Sequence, residues 1–224
     1  MVALGAAGGI WWFFRDDAPP PVTLEAAAQS VTGQISTREG IAGNWSVDAD
    51  SGTFDFESAT GTFAGFRIQE NLAAVGSTTA VGRTGEVSGK ITIDGTTLTA
   101  ASFEVDMASI TTNDRRRDDN VYSALSVTQF PKATFALTAP VELGADAASG
   151  NPIAVDAAGT LTIKGVTKNV TIPIEAQLVN GTVVVIGSTD IVFSDYGVSV
   201  PRSQIVLSVE DHGIVEFQLL LEPA

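Results

Sequence analysis

The sequence predicts an all-β, antiparallel fold. Short apolar runs alternate with polar residues, as where Leu161 and Ile163 interleave with Thr160 and Thr162. Val170, Ile172 and Ile174 likewise interleave with Thr171, Pro173 and Glu175. A period of two sends the apolar set to one face of a strand and the polar set to the other. Turn signals separate the runs: Asp94-Gly95, Gly165 and Asn180-Gly181. Such dipeptides and glycines admit the positive φ that tight hairpins require. Finally, glycine is plentiful (22 residues) and threonines and aliphatics dominate the runs, which favours strands over helices.

The chain has 224 residues, of which 44% are hydrophobic, enough for one sizeable domain with a full core. A formal net charge of −14 repels a phosphate backbone and argues against a nucleic-acid partner. There is no cysteine, which excludes disulfides, thiolate nucleophiles and Cys-ligated metals. It does not fix the compartment, because an exported protein need not carry disulfides.

Residues 1 to 14 (MVALGAAGGIWWFF) carry no charge, and Arg15, Asp16 and Asp17 end the run. Trp11 and Trp12 near that stop suit a membrane interface. As a helix at ~1.5 Å per residue the run reaches about 21 Å, short of a roughly 30 Å hydrocarbon core. Residues 1–17 are therefore read as a truncated membrane anchor or a hydrophobic tail. Residues 18–42 read as a linker, stiffened by Pro19, Pro20 and Pro21, with a short helix possible in LEAAAQ. The folded domain is expected over 43–224.

Within it, Asn44 to Asp48 reads as a short strand. Thr53 to Glu57 reads as another, with Phe54 and Phe56 on one face. Phe63 to Leu72 follows, and Glu86 to Asp94 and Thr97 to Met107 form a hairpin. Phe103, Val105 and Met107 alternate there with Glu104 and Asp106. TTNDRRRDDNVYSAL opens like a helix, capped by Asp114. Ala133 to Leu143 and Ile153 to Ile163 read as strands, then the hairpin around Gly165, then Thr182 to Phe193. Ser194 to Ser203 reads as a loop, Gln204 to Ser208 as a strand, VEDHG as a turn and Ile214 to Glu222 as the last strand.

Several of these pieces carry a resemblance. L-T-I-K-G-V-T-K from Leu161 to Lys168, followed by an alternating strand, resembles the signature hairpin of the YceI-like family. So do Trp45, Val47 and Asp48 before Ser51 and the Phe-rich stretch, and Arg117-Asp118, Tyr122-Ser123 and Phe130-Pro131. F-x-x-F-R-I-x-E-x-L from Phe63 with A-V-G-R-T from Ala80 is similar to an actinobacterial branch. Asn120 stands where many members have histidine, which weakens any mechanism that uses that side chain. The resemblance covers about Gly43 to Glu222. It implies a single antiparallel eight-stranded, lipocalin-like β-barrel with a short helical insertion near Asp114 to Leu125. It also implies a secreted or periplasmic protein that holds isoprenoid lipid.

Catalytic constellations are sparse. His212 is the single histidine, it reads as a turn residue, and no G-x-S-x-G occurs. One histidine without cysteine gives no zinc set, and no cofactor is expected. GRTGEVSGK from Gly82 lacks the spacing and the Ser or Thr of a phosphate loop. Arg115, Arg116 and Arg117 could clamp an anionic head group, but Asp114, Asp118 and Asp119 beside them favour plain neutralisation. The apolar face remains. Phe54, Phe56, Phe103, Val105, Phe135, Leu161, Ile163, Ile172, Ile174 and Phe193 are the expected inward set and contain no ionisable group. Pattern alone fits a filled core, and an eight-stranded barrel has room for side chains or for one small ligand. The resemblance favours the open tunnel.

The resulting expectation is a non-enzyme. It binds or transports a long-chain isoprenoid or similar amphiphilic lipid, outside the cytoplasm and tethered to the cell membrane. A β-sandwich adhesion or interaction module with a solid core is the alternative that the strands alone also permit.

Overall fold

The structure, a computed structural model, describes residues 18–31, 40–47, 53–72, 76–199, 206–209 and 211–224. The expected anchor lies outside the described residues, as do part of the expected linker, Asp48, Ser51 and the end of the Ser194–Ser203 loop.

Thirteen strands form one sheet: β1 (Gly43–Val47), β2 (Phe63–Leu72), β3 (Gly76–Thr84), β4 (Val87–Asp94), β5 (Thr97–Asp106), β6 (Thr111–Thr112), β7 (Lys132–Leu137), β8 (Val141–Glu142), β9 (Ile153–Ile163), β10 (Val166–Val179), β11 (Thr182–Val192), β12 (Val206–Val209) and β13 (His212–Pro223). The order β1-β4-β5-β7-β9-β10-β11-β13 closes because β13 pairs back to β1. This is a closed, antiparallel, eight-stranded barrel. Closure removes the sandwich alternative, which needs two separate sheets.

One position in the ring is shared. β13 pairs with β1 through Leu221–Pro223 and with β2 through Ile214–Gln218. β1 and β2 thus continue one line along the wall, and β4 and β3 lie beside them. Residues 53–62, ahead of β2, lie off the wall, and side-chain bonds to β13 replace the missing ladder bonds. Gln218 Nε2 donates to the carbonyls of Ala59 (3.2 Å) and Gly61 (2.8 Å), and Leu220 N–H donates to Thr62 Oγ1 (2.9 Å). Buried backbone groups demand such partners.

Two expected hairpins have mirror-image turns. Lys164 and Gly165 have φ of 50° and 75°, and Asn180 and Gly181 have 51° and 86°. Positive φ at both central residues matches the right-handed twist of the strands that follow. The expected helix is present as Arg115–Leu125, and Asp114 Oδ1 caps it by accepting from Arg116 N–H at 3.1 Å.

Three expectations are corrected. Thr53 to Glu57 is not a strand; only an isolated bridge joins Asp55 to Thr60 across a turn. The alternation is real, but β13, the neighbour such a strand would need, is already paired with β1 and β2. Ala133 to Leu143 is split into β7 and β8 around Pro140, because proline lacks the N–H of a ladder. His212 is no turn residue: it begins β13 and pairs with Val192. The short helix that LEAAAQ allowed is present as α1 (Leu24–Gln29), and its Leu24 and Ala27 pack with Val184, Ile186 and Leu220 on the outside of the barrel.

Candidate functional site

The barrel interior holds a cavity of about 480 Å³. Its wall is apolar and drawn from nearly every strand. Phe103, Val105, Phe135, Leu161, Ile163, Ile172, Ile174 and Phe193 all line it, as the alternation predicts. Phe54 and Phe56 do not. They belong to the excursion between β1 and β2, on the outside of the wall. Phe54 packs on Phe63 with ring centroids 5.7 Å apart, and the carbonyl of Phe56 accepts from Arg83 Nη1 at 3.4 Å.

Sequence reasoning also missed how the cavity stays open. Four inward phenylalanines lie flat over glycines of neighbouring strands. A Cβ added at Gly82 would stand 2.5 Å from the Phe66 ring, and one at Gly89 2.2 Å from Phe103. At Gly159 it would meet Phe135 at 2.4 Å, and at Gly187 Phe217 at 2.4 Å. Only a residue without a side chain lets a ring lie this close to the backbone. Each ring covers wall instead of filling the lumen.

The two ends differ. At one end Ile41, Trp45, Ile93, Val183 and Leu221 pack into a buried cluster, and Trp45 Nε1 donates to the Ile41 carbonyl at 2.7 Å. At the other, α2 (Arg115–Leu125) lies beside the opening, with Glu70, Asp114, Arg116, Arg117 and Asn120 at the rim. Several contacts hold α2 in place. Tyr122 Oη donates to the Ile110 carbonyl (2.7 Å), and Lys164 Nζ bridges the carbonyls of Ala124 and Gly197 (2.8 Å each). Arg117 Nη2 donates to Glu70 Oε2 at 2.8 Å.

The rim charges are mutually satisfied. Arg116 grips Asp114 through Nε (3.0 Å) and Nη2 (2.8 Å), which holds the Asp114 carboxyl below the usual aspartate range. Asp118 accepts from Thr112 N–H and Oγ1 at 3.0 and 2.7 Å. Two of the three arginines thus pair with carboxylates, and of the acidic neighbours named from the sequence only Asp114 does so, while Asp118 binds Thr112. The other partner, Glu70, comes from β2, where local sequence could not point.

A buried charge group lies outside the barrel. Arg83 is 0% exposed and Glu216 1%. Arg83 Nε and Nη2 donate to Glu216 Oε1 at 2.9 and 2.7 Å, and its guanidinium stacks 4.6 Å from the centre of the Phe63 ring. Arg67 Nη1 stands 3.7 Å from the same oxygen. Above them passes the N-terminal arm: Arg67 donates to the Pro19 carbonyl and Arg83 to the Pro20 carbonyl, both at 2.8 Å. Among the described residues no group of acidic or histidine side chains could hold a metal ion, and no helix is long and apolar enough to cross a membrane.

The comparisons agree with this geometry. The model of the YceI-like domain matches residues 45–221. The fold is similar to that of BcnA from Burkholderia cenocepacia, with TM-score 0.57 and 22% identity over 78% of this chain and 98% of that one. It is also similar to a polyisoprenoid-binding domain from Saccharophagus degradans, described as implicated in plant cell wall breakdown, with TM-score 0.60 and 20% identity over 80% and 98%. A YceI protein of Campylobacter jejuni matches with TM-score 0.51 and 20% identity over 64% and 85%. No curated protein matches the chain.

Proposed function

Because the chain belongs to the YceI-like domain family, we propose that its barrel binds a long-chain isoprenoid, or a similar amphiphilic lipid, without transforming it. One observation carries the reading: an apolar cavity of about 480 Å³, open at one end. That size is within the roughly 300–1,000 Å³ of small-molecule sites. The depth of the cavity offers hydrocarbon contact and no charge, and polar groups are confined to the rim. Such a shape suits a tail inside and a head group at the opening.

The energetics suit it too. At roughly 0.8 kcal/mol per buried CH₂, about fifteen tail carbons represent on the order of 12 kcal/mol before ordering costs. Affinity then needs no directed polar contact, and selectivity follows from the width and length of the lumen. The binding domain named in the Saccharophagus degradans structure supports the isoprenoid class.

Residues 1–17 tether the barrel to the cell membrane on its non-cytoplasmic face, which keeps it beside the bilayer that holds its ligand. The uncharged run through Phe14 and the charged stop at Arg15 support this.

The test of binding is Ile172→Trp, which narrows the cavity from a buried wall position. The variant should fold and lose its lipid. A folded variant with a full complement of lipid removes the assignment of the cavity. For the tether, cells are fractionated with and without residues 1–21. Equal soluble, cytoplasmic amounts in both cases overturn it.

A further inference from the structure

We propose that the open end of the barrel faces the membrane, set there by the docked N-terminal arm. The inference rests on the tether reading above. The arm has a direction that can be read from its contacts. Pro19 is bound by Arg67, which pairs with Ile214 near the start of β13. α1 packs by Leu220, six residues further along the same strand. The atom that binds Pro19, Arg67 Nη1, stands 3.7 Å from Glu216, so Pro19 sits at the Glu216 level, and over the four residues to Leu220, at about 3.3 Å each, the arm descends about 13 Å to α1, away from the open end. Glu216 is four residues, or about 13 Å, from the first residue of β13, at the end where α2 and the rim lie. Whatever is attached before Ala18 thus joins the half of the wall nearer the opening.

The attachment is built to hold. Two guanidinium groups donate to successive arm carbonyls, and a buried carboxylate, Glu216, fixes both guanidiniums. Leu24 and Ala27 add an apolar seat below, buried against β11 and β13. The arm therefore transmits the position of its upper end to the whole barrel.

Charge supplies a second observation. Arg115, Arg116, Arg117, Lys132, Lys164 and Lys168 all lie toward the open end, on α2, at the start of β7 and at the β9–β10 hairpin. They partly offset the more numerous acids around them, as in Lys132–Glu104 and Lys168–Asp195. At the closed end Asp94, Glu142 and Asp146 stand exposed, and among the described residues none of them forms an ion pair. An anionic lipid surface repels the closed end over a Debye length of about 8–10 Å and tolerates the mixed rim. The partner that fits the rim is thus a lipid bilayer surface. A barrel so placed exchanges its ligand with the bilayer directly, without passing the tail through water.

The absence of cysteine makes single labels unique. Ser123→Cys on α2 and Ala145→Cys at the closed end are labelled separately in the full chain. Each is mixed with phosphatidylcholine–phosphatidylglycerol vesicles that carry a quencher on the head groups. The expected result is strong quenching at 123 and several-fold weaker quenching at 145. Adding Arg67→Gln, which frees Pro19, should narrow the contrast. If the chain does not float with the vesicles, the tether reading fails and the orientation falls with it. If it floats and both labels quench alike, the orientation alone is overturned. A contrast unchanged by Arg67→Gln overturns the arm as its cause.

Discussion

Replacing Arg83 by methionine should destabilise the protein by about 3 kcal/mol. The side chain is fully buried and gives Glu216 its two short bonds, at 2.9 and 2.7 Å. Breaking a buried ion pair from one side costs about 3–5 kcal/mol, because the remaining charge has no water. Arg67, already 3.7 Å from the stranded oxygen, can approach it, which places the expectation at the low end. The carbonyls of Pro20 and Phe56 also lose a donor, but both lie in the outer layer, where water can reach them once the arm loosens. Against a typical total of about 5–15 kcal/mol this is a large loss. The assay is urea unfolding at neutral pH, with the denaturant slope checked for constancy. Arg83→Met with Glu216→Leu should be much less damaged than the sum of the single variants, since an apolar pair of similar shape can replace a buried salt bridge. A cost below about 1 kcal/mol for Arg83→Met, or strict additivity in the double variant, refutes the reasoning.

Gly159→Ala should push the Phe135 ring into the lumen, lowering lipid content and costing about 1–3 kcal/mol; lipid extraction and a melt check it. Gly165→Ala combines a positive φ of 75° with a Cβ 2.7 Å from Phe130, and should cost about 1–2 kcal/mol in denaturant unfolding. Asp114→Ala removes the cap of α2 and should cost about 1 kcal/mol. In the parent the carboxyl is held low by Arg116, so its contribution is complete above the ordinary aspartate range and is lost as pH falls through the lowered folded value. Parent and variant stabilities should thus converge in acid, as pH-dependent unfolding would show. His212→Ala, at an exposed position, should leave lipid loading and fold unchanged; loss of any measured turnover with folding intact would contradict the non-enzyme reading.

Features that the sequence made legible are those decided within a few residues. The hairpins at Gly165 and Asn180-Gly181 follow from local backbone freedom, and Asp114 marks its helix because a cap bonds two residues away. The inward faces of β5, β9 and β10 follow from alternation once a neighbour exists on each side. Phe54 and Phe56 fail on that condition: their alternation is as clear as that of Leu161 and Ile163, yet the edge of β13 beside them is already taken by β1 and β2. The open lumen depended on register. Gly89, Gly159 and Gly187 are visible as glycines inside strand patterns, a mark of close approach, but which ring approaches is set by pairing across strands. The Arg83–Glu216 pair spans 133 residues, and neither residue carries a local sign of burial. In the sequence Arg67 and Arg83 stand out through a family-like pattern, and Arg83 also through a stretch with the wrong spacing for a phosphate loop. The structure gives that pattern a physical content, the seat of the N-terminal arm.

The central claim is that the cavity is a lipid site, and the most direct measurement is mass spectrometry of organic extracts from protein purified without detergent. The account predicts a long-chain isoprenoid or similar lipid in near-stoichiometric amount, strongly reduced in Ile172→Trp. Parent protein that is folded and free of lipid, or lipid that persists undiminished in folded Ile172→Trp, would contradict it.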